Sequence, residues 1–210
     1  MTRFSKLLLL ITVTPAMITS CQHHARTGTG PAFEKKYADF TYTEVTPVRQ
    51  SNQSACGAAA LASILQYWNQ PTTQSQLLSS YPPQTAGGYP IVQLKRISEV
   101  QGLQAFLVTP KENPASFLES QITKGRPVLV AILCPKGRYF GKPLPVIEQL
   151  DSETINTPGS KWKEHYVVVT GFDDSQFLIM DPAYGIVALQ KHDLLRFWRE
   201  MNYATLLCST

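Results

Sequence analysis

Apolar positions recur at helical spacing through the first half of the chain. Alanines, leucines and isoleucines over residues 56–68 predict one helix, and residues 74–81 predict a second that ends at a Pro-Pro pair. Residues 91–101 carry isoleucine, leucine and valine on one helical face, and residues 114–123 begin with a proline that suits the first turn of a helix. An extended stretch over residues 42–48 precedes these four helices.

The second half of the chain has the short apolar runs that are typical of strands. Residues 127–133 are almost continuously apolar, which indicates a buried strand. The other runs are bounded by turn residues and predict a helix over residues 192–200 and strands over 105–108, 166–170, 176–180, 186–189 and 204–208. Helices that come first and pack on an antiparallel sheet formed later define an α+β fold.

A stretch rich in proline, glycine and charge over residues 134–160 interrupts this series. It is too long for a simple hairpin, and loops of this length are usually functional or mobile. We therefore expect an insertion between two strands of the sheet.

The first 20 residues have the layout of an export signal. Arg3 and Lys6 precede an apolar run over residues 7–13, and small residues then lead up to Cys21. Such a run is too short to span a membrane stably. A cysteine directly behind Ile-Thr-Ser also resembles a bacterial lipobox, in which that cysteine is lipidated and becomes the mature N-terminus. Ordinary signal cleavage with an incidental Cys21 is the alternative.

Behind this signal (residues 1–20), the sequence divides into two parts. Residues 21–40 are polar and irregular and are expected to form a lipidated cysteine and a flexible tether, and residues 41–210 form one domain. We thus expect an exported lipoprotein whose partner is membrane lipid. Gln22, where an aspartate would favour retention in the inner membrane, favours the periplasmic face of the outer membrane in a Gram-negative cell.

The net charge argues against several classes of partner. The whole chain carries +4 and the 190 residues behind the signal carry +2, which is too mild a balance to indicate nucleic acid. No apolar run behind the signal approaches the length of a membrane span. We expect no cofactor and no metal site, and the adjacent His23 and His24 are interpreted as solvated tether residues.

Cys56 carries the strongest chemical signal in the chain. A polar stretch, then Cys-Gly, then helix formers place its thiol at a helix N-terminus, where unpaired N–H groups and the macrodipole favour the thiolate. His165 opens a valine-rich strand, and Asp181 ends a later strand, so a ribbon that turns at residues 173–174 brings the two together. A thiol, an imidazole and a carboxylate in this order are the components of a cysteine hydrolase.

The sequence leaves several site assignments open. Either Gln50 or Gln53 could donate an amide hydrogen bond to the oxyanion of a tetrahedral intermediate. Cys134 and Cys208 either form a disulfide, as an oxidising compartment favours, or are buried free thiols. His192 lies between charged residues at the start of a surface-type helix and is the poorer candidate for a base.

Three short motifs carry a family resemblance: Gln50-x5-Cys56-Gly57, His165-Tyr166-Val167-Val168 and Asp181-Pro182. They are similar to the motifs of the C39 peptidases, papain-like cysteine proteases best known as the N-terminal domains of bacteriocin-exporting transporters. By this resemblance Cys56 is the nucleophile, His165 the general base, Asp181 its orienting carboxylate, and Gln50, six positions ahead of the thiol, the oxyanion donor. The resemblance covers residues 45–190 and implies a papain-like fold and a peptide or protein substrate.

The expected function is therefore that of a lipid-anchored cysteine endopeptidase. No ATPase portion is evident, so ATP is not an expected partner. A cell-wall amidase or acyl transferase on the same scaffold is one alternative, but such enzymes usually place Ser-Gly behind the cysteine and use a second histidine. A non-catalytic binding or scaffold module of a secretion or surface assembly is the other, although it would not need all four site residues.

Overall fold

Helices and strands follow each other in the order expected of an α+β chain. A computed structural model describes residues 31–135 and 162–210. The helices of this part are α1 (Pro31–Lys36), α2 (Cys56–Tyr67), α3 (Gln74–Ser80), α4 (Ile91–Val100), α5 (Pro114–Thr123) and α6 (Lys191–Arg199). The strands are β1 (Thr41–Tyr42), β2 (Gln104–Val108), β3 (Val128–Pro135), β4 (Trp162–Phe172), β5 (Gln176–Asp181), β6 (Gly185–Gln190) and β7 (Thr205–Ser209).

All the described strands join one antiparallel sheet in the order β2-β7-β3-β4-β5-β6, and the short β1 adds to the end of β4. The longest pairing joins β3 to β4 and sets Ile132 opposite His165. A bulge between Val169 and Gly171 shifts the register of β4 against β5. Helices packed on an antiparallel sheet confirm the α+β fold.

The sheet has a hydrophobic core on each of its two faces, because side chains alternate along every strand. On one face, Val168 and Met180 pack against α2 and α4. On the other face, Val167 and Ile179 pack against α5 and α6. A fully buried aliphatic side chain contributes about 1.5–3 kcal/mol, so this double coverage accounts for the continuous valine run of β4.

Helix α2 is buried on almost every side, and small side chains make this possible. Glycine, alanine and serine occupy half of its twelve positions, and Gln66 is the one residue of the helix that is not buried. The buried hydroxyl of Ser63 donates a hydrogen bond of 2.7 Å to the backbone oxygen of Thr46. This bond satisfies the buried hydroxyl and attaches the helix to the segment that precedes it.

The end of the expected tether is folded, which corrects its boundary. Residues 31–36 form α1, and Tyr37 behind it is buried. The ring of Phe33 contacts those of Tyr37 and Tyr42 at centroid distances of 4.7 and 5.5 Å. Only β1 is a strand within the extended stretch expected over residues 42–48.

Cys134 and Cys208 are both buried and are not joined by a disulfide, which favours the alternative of two separate buried thiols. Cys134 packs on the face of the sheet covered by α5 and α6, and Cys208 on the opposite face. Side chains on opposite faces point apart, and the pairing of Leu129 with Leu206 leaves Cys134 and Cys208 several residues apart along the sheet, so the two cannot reach the geometry of a disulfide.

Several expectations fall on residues that the structure does not describe. The export signal, Cys21, the adjacent His23 and His24, and residues 136–160 of the expected insertion lie outside the described ranges. Within those ranges, no helix is both long and apolar enough to cross a membrane.

Candidate active site

Cys56 is the first residue of α2, as the sequence predicts. The preceding Ala55 has no side-chain group that could cap the helix, so the first-turn N–H groups and the positive end of the helix dipole lie next to the thiol. The Cys56 residue is 6% exposed. Its surroundings therefore combine limited access to solvent with a local positive potential.

His165 and Asp181 form a buried hydrogen-bonded pair. The Nε2 atom of His165 lies 3.1 Å from Oδ1 of Asp181, and both side chains are almost inaccessible to solvent. The same oxygen accepts hydrogen bonds from the backbone N–H groups of Ala183, at 2.6 Å, and Tyr184, at 3.2 Å. These two donors stabilise the ionised carboxylate and hold it in the turn between β5 and β6.

The Cys56 thiol and the His165 imidazole lie side by side in the buried site, and each shifts the pKa of the other. Because Nε2 faces Asp181, the other ring nitrogen, Nδ1, is the one that remains for the thiol. The described residues thus place a thiol, an imidazole and a carboxylate in one chain of contacts. These are the three residues that the sequence singled out.

This contact chain shifts two pKa values in opposite directions. Burial alone would raise the pKa of the Cys56 thiol. The hydrogen bond and charge of His165, the backbone N–H of Tyr166 and the charge of Lys163 outweigh burial and bring that pKa below its ordinary value. Burial alone would lower the pKa of His165, but Asp181 and then Cys56 raise it to about 10. Both shifts favour a thiolate next to an imidazolium.

Gln50 is buried beside the Asp181-Pro182 turn. Its backbone N–H donates a hydrogen bond of 2.9 Å to the oxygen of Pro182, and its Nε2 donates to the oxygen of Asn52 at 2.9 Å. A carboxamide nitrogen carries two protons, so one N–H of Gln50 can still bind a substrate oxygen. Gln53, the competing residue, is half-buried in the turn that leads to α2.

Tyr166 is a contributor to the site that the sequence did not indicate. Its backbone N–H helps to lower the pKa of the Cys56 thiol, and its hydroxyl donates a bond of 2.9 Å to the oxygen of Tyr89. A backbone donor has no residue-type signature, so only the fold could reveal it. His192, the rejected base, has a 78% exposed side chain and contacts Asp193 at 3.5 Å.

A model of a known protein family matches most of this chain. The model of the Peptidase_C39 like family matches residues 42–206. The chain belongs to this family. The matched range contains the four residues around which the site is built, and it begins with β1 and ends within β7. Comparison with curated protein sequences finds no match.

Solved structures of C39-like peptidases share the fold of this chain. The double-glycine motif protease of an AMS/PCAT transporter, solved with a leader peptide, is 20% identical and has a TM-score of 0.55 over 80% of this chain and 92% of its own. A putative C39-like peptidase from Bacillus anthracis is 17% identical, with a TM-score of 0.55 over 78% of this chain and 94% of its own.

The peptidase domain of Streptococcus ComA, a bifunctional ABC transporter, is 16% identical and has a TM-score of 0.54 over 77% of this chain and 96% of its own. These likenesses show a papain-like C39 peptidase fold. They cover most of each relative's length, so the shared part is a whole domain.

Proposed function

We propose that this C39-like protein is a lipid-anchored cysteine endopeptidase. Cys56 is its nucleophile, His165 its general base and acid, Asp181 the carboxylate that orients the imidazole, and Gln50 a donor to the oxyanion. The observation that carries the proposal is the buried contact of 3.1 Å between His165 and Asp181 next to a thiol at a helix N-terminus. A histidine with a purely structural role would not need both a buried carboxylate and a thiol as neighbours.

The first half of the reaction acylates the enzyme. The Cys56 thiolate attacks the carbonyl carbon of a peptide bond and pushes the carbonyl electrons onto oxygen. The Gln50 amide and the backbone N–H of Cys56 stabilise the resulting oxyanion. The imidazolium of His165 then protonates the departing amine, the C–N bond breaks, and a thioester with Cys56 remains.

The second half regenerates the thiolate. His165, now neutral, accepts a proton from a water molecule that attacks the thioester carbonyl. The second tetrahedral intermediate releases the new carboxylic acid and returns the sulfur as a thiolate, while His165 is again an imidazolium. Throughout, Asp181 keeps the Nε2 proton in place, so that Nδ1 is always the atom that exchanges a proton with the reactants.

The proposed location follows from the start of the chain. Acylation of Cys21 would attach the protein to a membrane outside the cytoplasm, with the outer membrane favoured in a Gram-negative cell. A single tether there would limit the enzyme to peptides or proteins that reach the same surface. Palmitate labelling of the intact chain and of a Cys21→Ser variant tests this part by itself.

The activity is tested on a peptide library with products identified by mass spectrometry. Wild-type protein should cleave library peptides and take up iodoacetamide at Cys56, whereas Cys56→Ala should do neither while its thermal unfolding is unchanged. The matched control is Cys208→Ala, which removes a buried thiol remote from the site. Cleavage that survives in Cys56→Ala, or a Cys56 thiol that reacts no faster than a free thiol, contradicts the proposal.

A further inference from the structure

The segment that carries Gln50 has no regular secondary structure, yet its backbone is tightly bonded. The Gln50 N–H is bonded to Pro182 on the side of the Asp181 turn. The backbone oxygen of Arg49 and the backbone N–H of Ser51 are both bonded to a single side chain, that of Gln74. Three consecutive residues are therefore held from two different parts of the fold.

Gln74 holds this segment with both ends of its carboxamide. Its Nε2 donates to the oxygen of Arg49 at 2.7 Å, and its Oε1 accepts from the N–H of Ser51 at 2.9 Å. A carboxamide that bonds the C=O of one residue and the N–H two positions later imitates a neighbouring strand. Both bonds lie within the normal range of strong hydrogen bonds.

The position of Gln74 is itself well determined. It is the first residue of α3, and a capping box fixes the start of that helix. Gln76 N–H donates to the Thr73 hydroxyl at 3.3 Å, and Thr73 N–H donates to Gln76 Oε1 at 2.8 Å. The buried Leu77 anchors the same helix in the core. The α3 helix is thus a rigid support for residues 49–51, which have no regular secondary structure of their own.

We propose that Gln74 is a positioning residue for the Gln50 amide, because it binds the backbone on both sides of Gln50 and thereby sets where that amide meets the developing oxyanion. This inference rests on the proposed function. The side-chain hydrogen bonds of Gln74 go to backbone atoms of Arg49 and Ser51. It acts through Gln50 alone, on the one step in which a carbonyl oxygen acquires negative charge.

The reaction offers a way to separate this role from a structural one. Peptide cleavage passes through a tetrahedral oxyanion, whereas alkylation of Cys56 by iodoacetamide displaces iodide directly and forms none. Loss of Gln74 should therefore slow cleavage and leave alkylation unchanged. A general loosening of the fold would slow both.

The experiment measures kcat on the best-cleaved library peptide and the iodoacetamide rate for wild type, Gln50→Ala, Gln74→Met and the double variant. Methionine keeps the length of the side chain without its hydrogen bonds. Removal of an oxyanion donor typically costs about 100- to 1000-fold in kcat, and displacement of one costs roughly tenfold or more. In Gln50→Ala, the added Gln74→Met change should cause no further loss.

Two further variants test the separate hydrogen bonds of Gln74 and the effect of an unrelated change in the same helix. Gln74→Glu keeps the acceptor for Ser51 and loses the donor to Arg49, so its kcat should lie between those of wild type and Gln74→Met. Ser79→Ala changes an exposed residue of the same helix and should match wild type.

Unchanged kcat in Gln74→Met, equal loss of alkylation, or a further tenfold loss in the Gln50→Ala background each overturns the inference. Absence of cleavage by wild-type protein whose Cys56 is alkylated normally instead overturns the proposed function, and the inference with it.

Discussion

At the scale of single residues, the three described thiols show how strongly neighbours determine reactivity. Cys56 and Cys208 are both buried, yet the pKa of Cys56 is lowered, while burial raises that of Cys208 to about 11 against the opposing hydrogen bond of Ser98. The difference is the imidazole of His165. The thiolate form of Cys56 is therefore favoured by its partner and not by its exposure.

The first prediction concerns His165. In His165→Ala, Cys56 keeps its burial and loses the hydrogen bond and charge that lower its pKa, so the thiolate should form only at higher pH. Iodoacetamide rates measured from pH 4 to 10 should show the midpoint shifted upward, and the rate at pH 6 should be lower than that of wild type. In wild type, peptide cleavage should fall on the acidic side as the thiolate is protonated, and on the alkaline side as the imidazolium loses its proton.

The exposed His192 supplies the control for this prediction, since His192→Ala removes a histidine that is far less buried. Its rate profile should coincide with that of wild type. An unshifted profile in His165→Ala would mean that the helix N-terminus alone lowers the pKa of Cys56.

At the scale of elements, the sheet depends on one glycine at the crossing of β1 and β4. A Cβ at Gly171 would lie 2.6 Å from the Cβ of Tyr42 and 2.9 Å from the oxygen of Thr41. Both neighbours belong to β1, and neither atom is the mobile end of a side chain. Residue 171 also follows the bulge that shifts the register of β4 against β5.

The second prediction is that Gly171→Ala destabilises the protein by about 1–3 kcal/mol, because β1 must move away from β4. For a chain of this size, the melting temperature should fall by about 2–4 °C for each kcal/mol. Gly87→Ala is the matched control, since its Cβ would meet only the Thr85 hydroxyl at 3.8 Å. Equal melting temperatures for the two variants would show that β1 contributes little to stability.

Most of these elements could be predicted because their apolar residues recur with a clear period. The expected helix over residues 114–123 has the observed bounds, and the strands of the second half extend the predicted runs by a few residues. The folded end of the tether could not be predicted, because Phe33 and Tyr37 are isolated aromatic residues in a polar stretch. Their burial depends on Tyr42, which only the completed sheet brings next to them.

At the scale of the whole molecule, the site joins parts of the chain that are remote in sequence. Cys56 and His165 are 109 positions apart, and they meet because β4, which pairs with β3, packs against α2. The residue types and their order could be read from the sequence. The backbone donors of Tyr166, Ala183 and Tyr184 could not, because any residue supplies an N–H group.

The third prediction follows from this dependence on the fold. In urea, Cys56 should lose its partner and react with iodoacetamide at pH 6 as an ordinary thiol with a pKa of about 8.5. Cys134 and Cys208 are buried in the native protein and should be labelled only after unfolding. Mass spectrometry of each cysteine peptide would follow all three in one experiment. Faster labelling of Cys56 in urea than in buffer would contradict the prediction.

The turn between β5 and β6 limits where residues can be inserted into this protein. The turn has three residues, of which Pro182 and Ala183 are buried. The Asp181 side chain directly before it is hydrogen-bonded to His165, and the backbone oxygen of Pro182 accepts a hydrogen bond from Gln50. One added residue would break both attachments at once and reverse the faces of β6. An affinity tag or a fluorescent reporter therefore belongs at the opposite end of β5, where Asp174 and Ser175 are exposed.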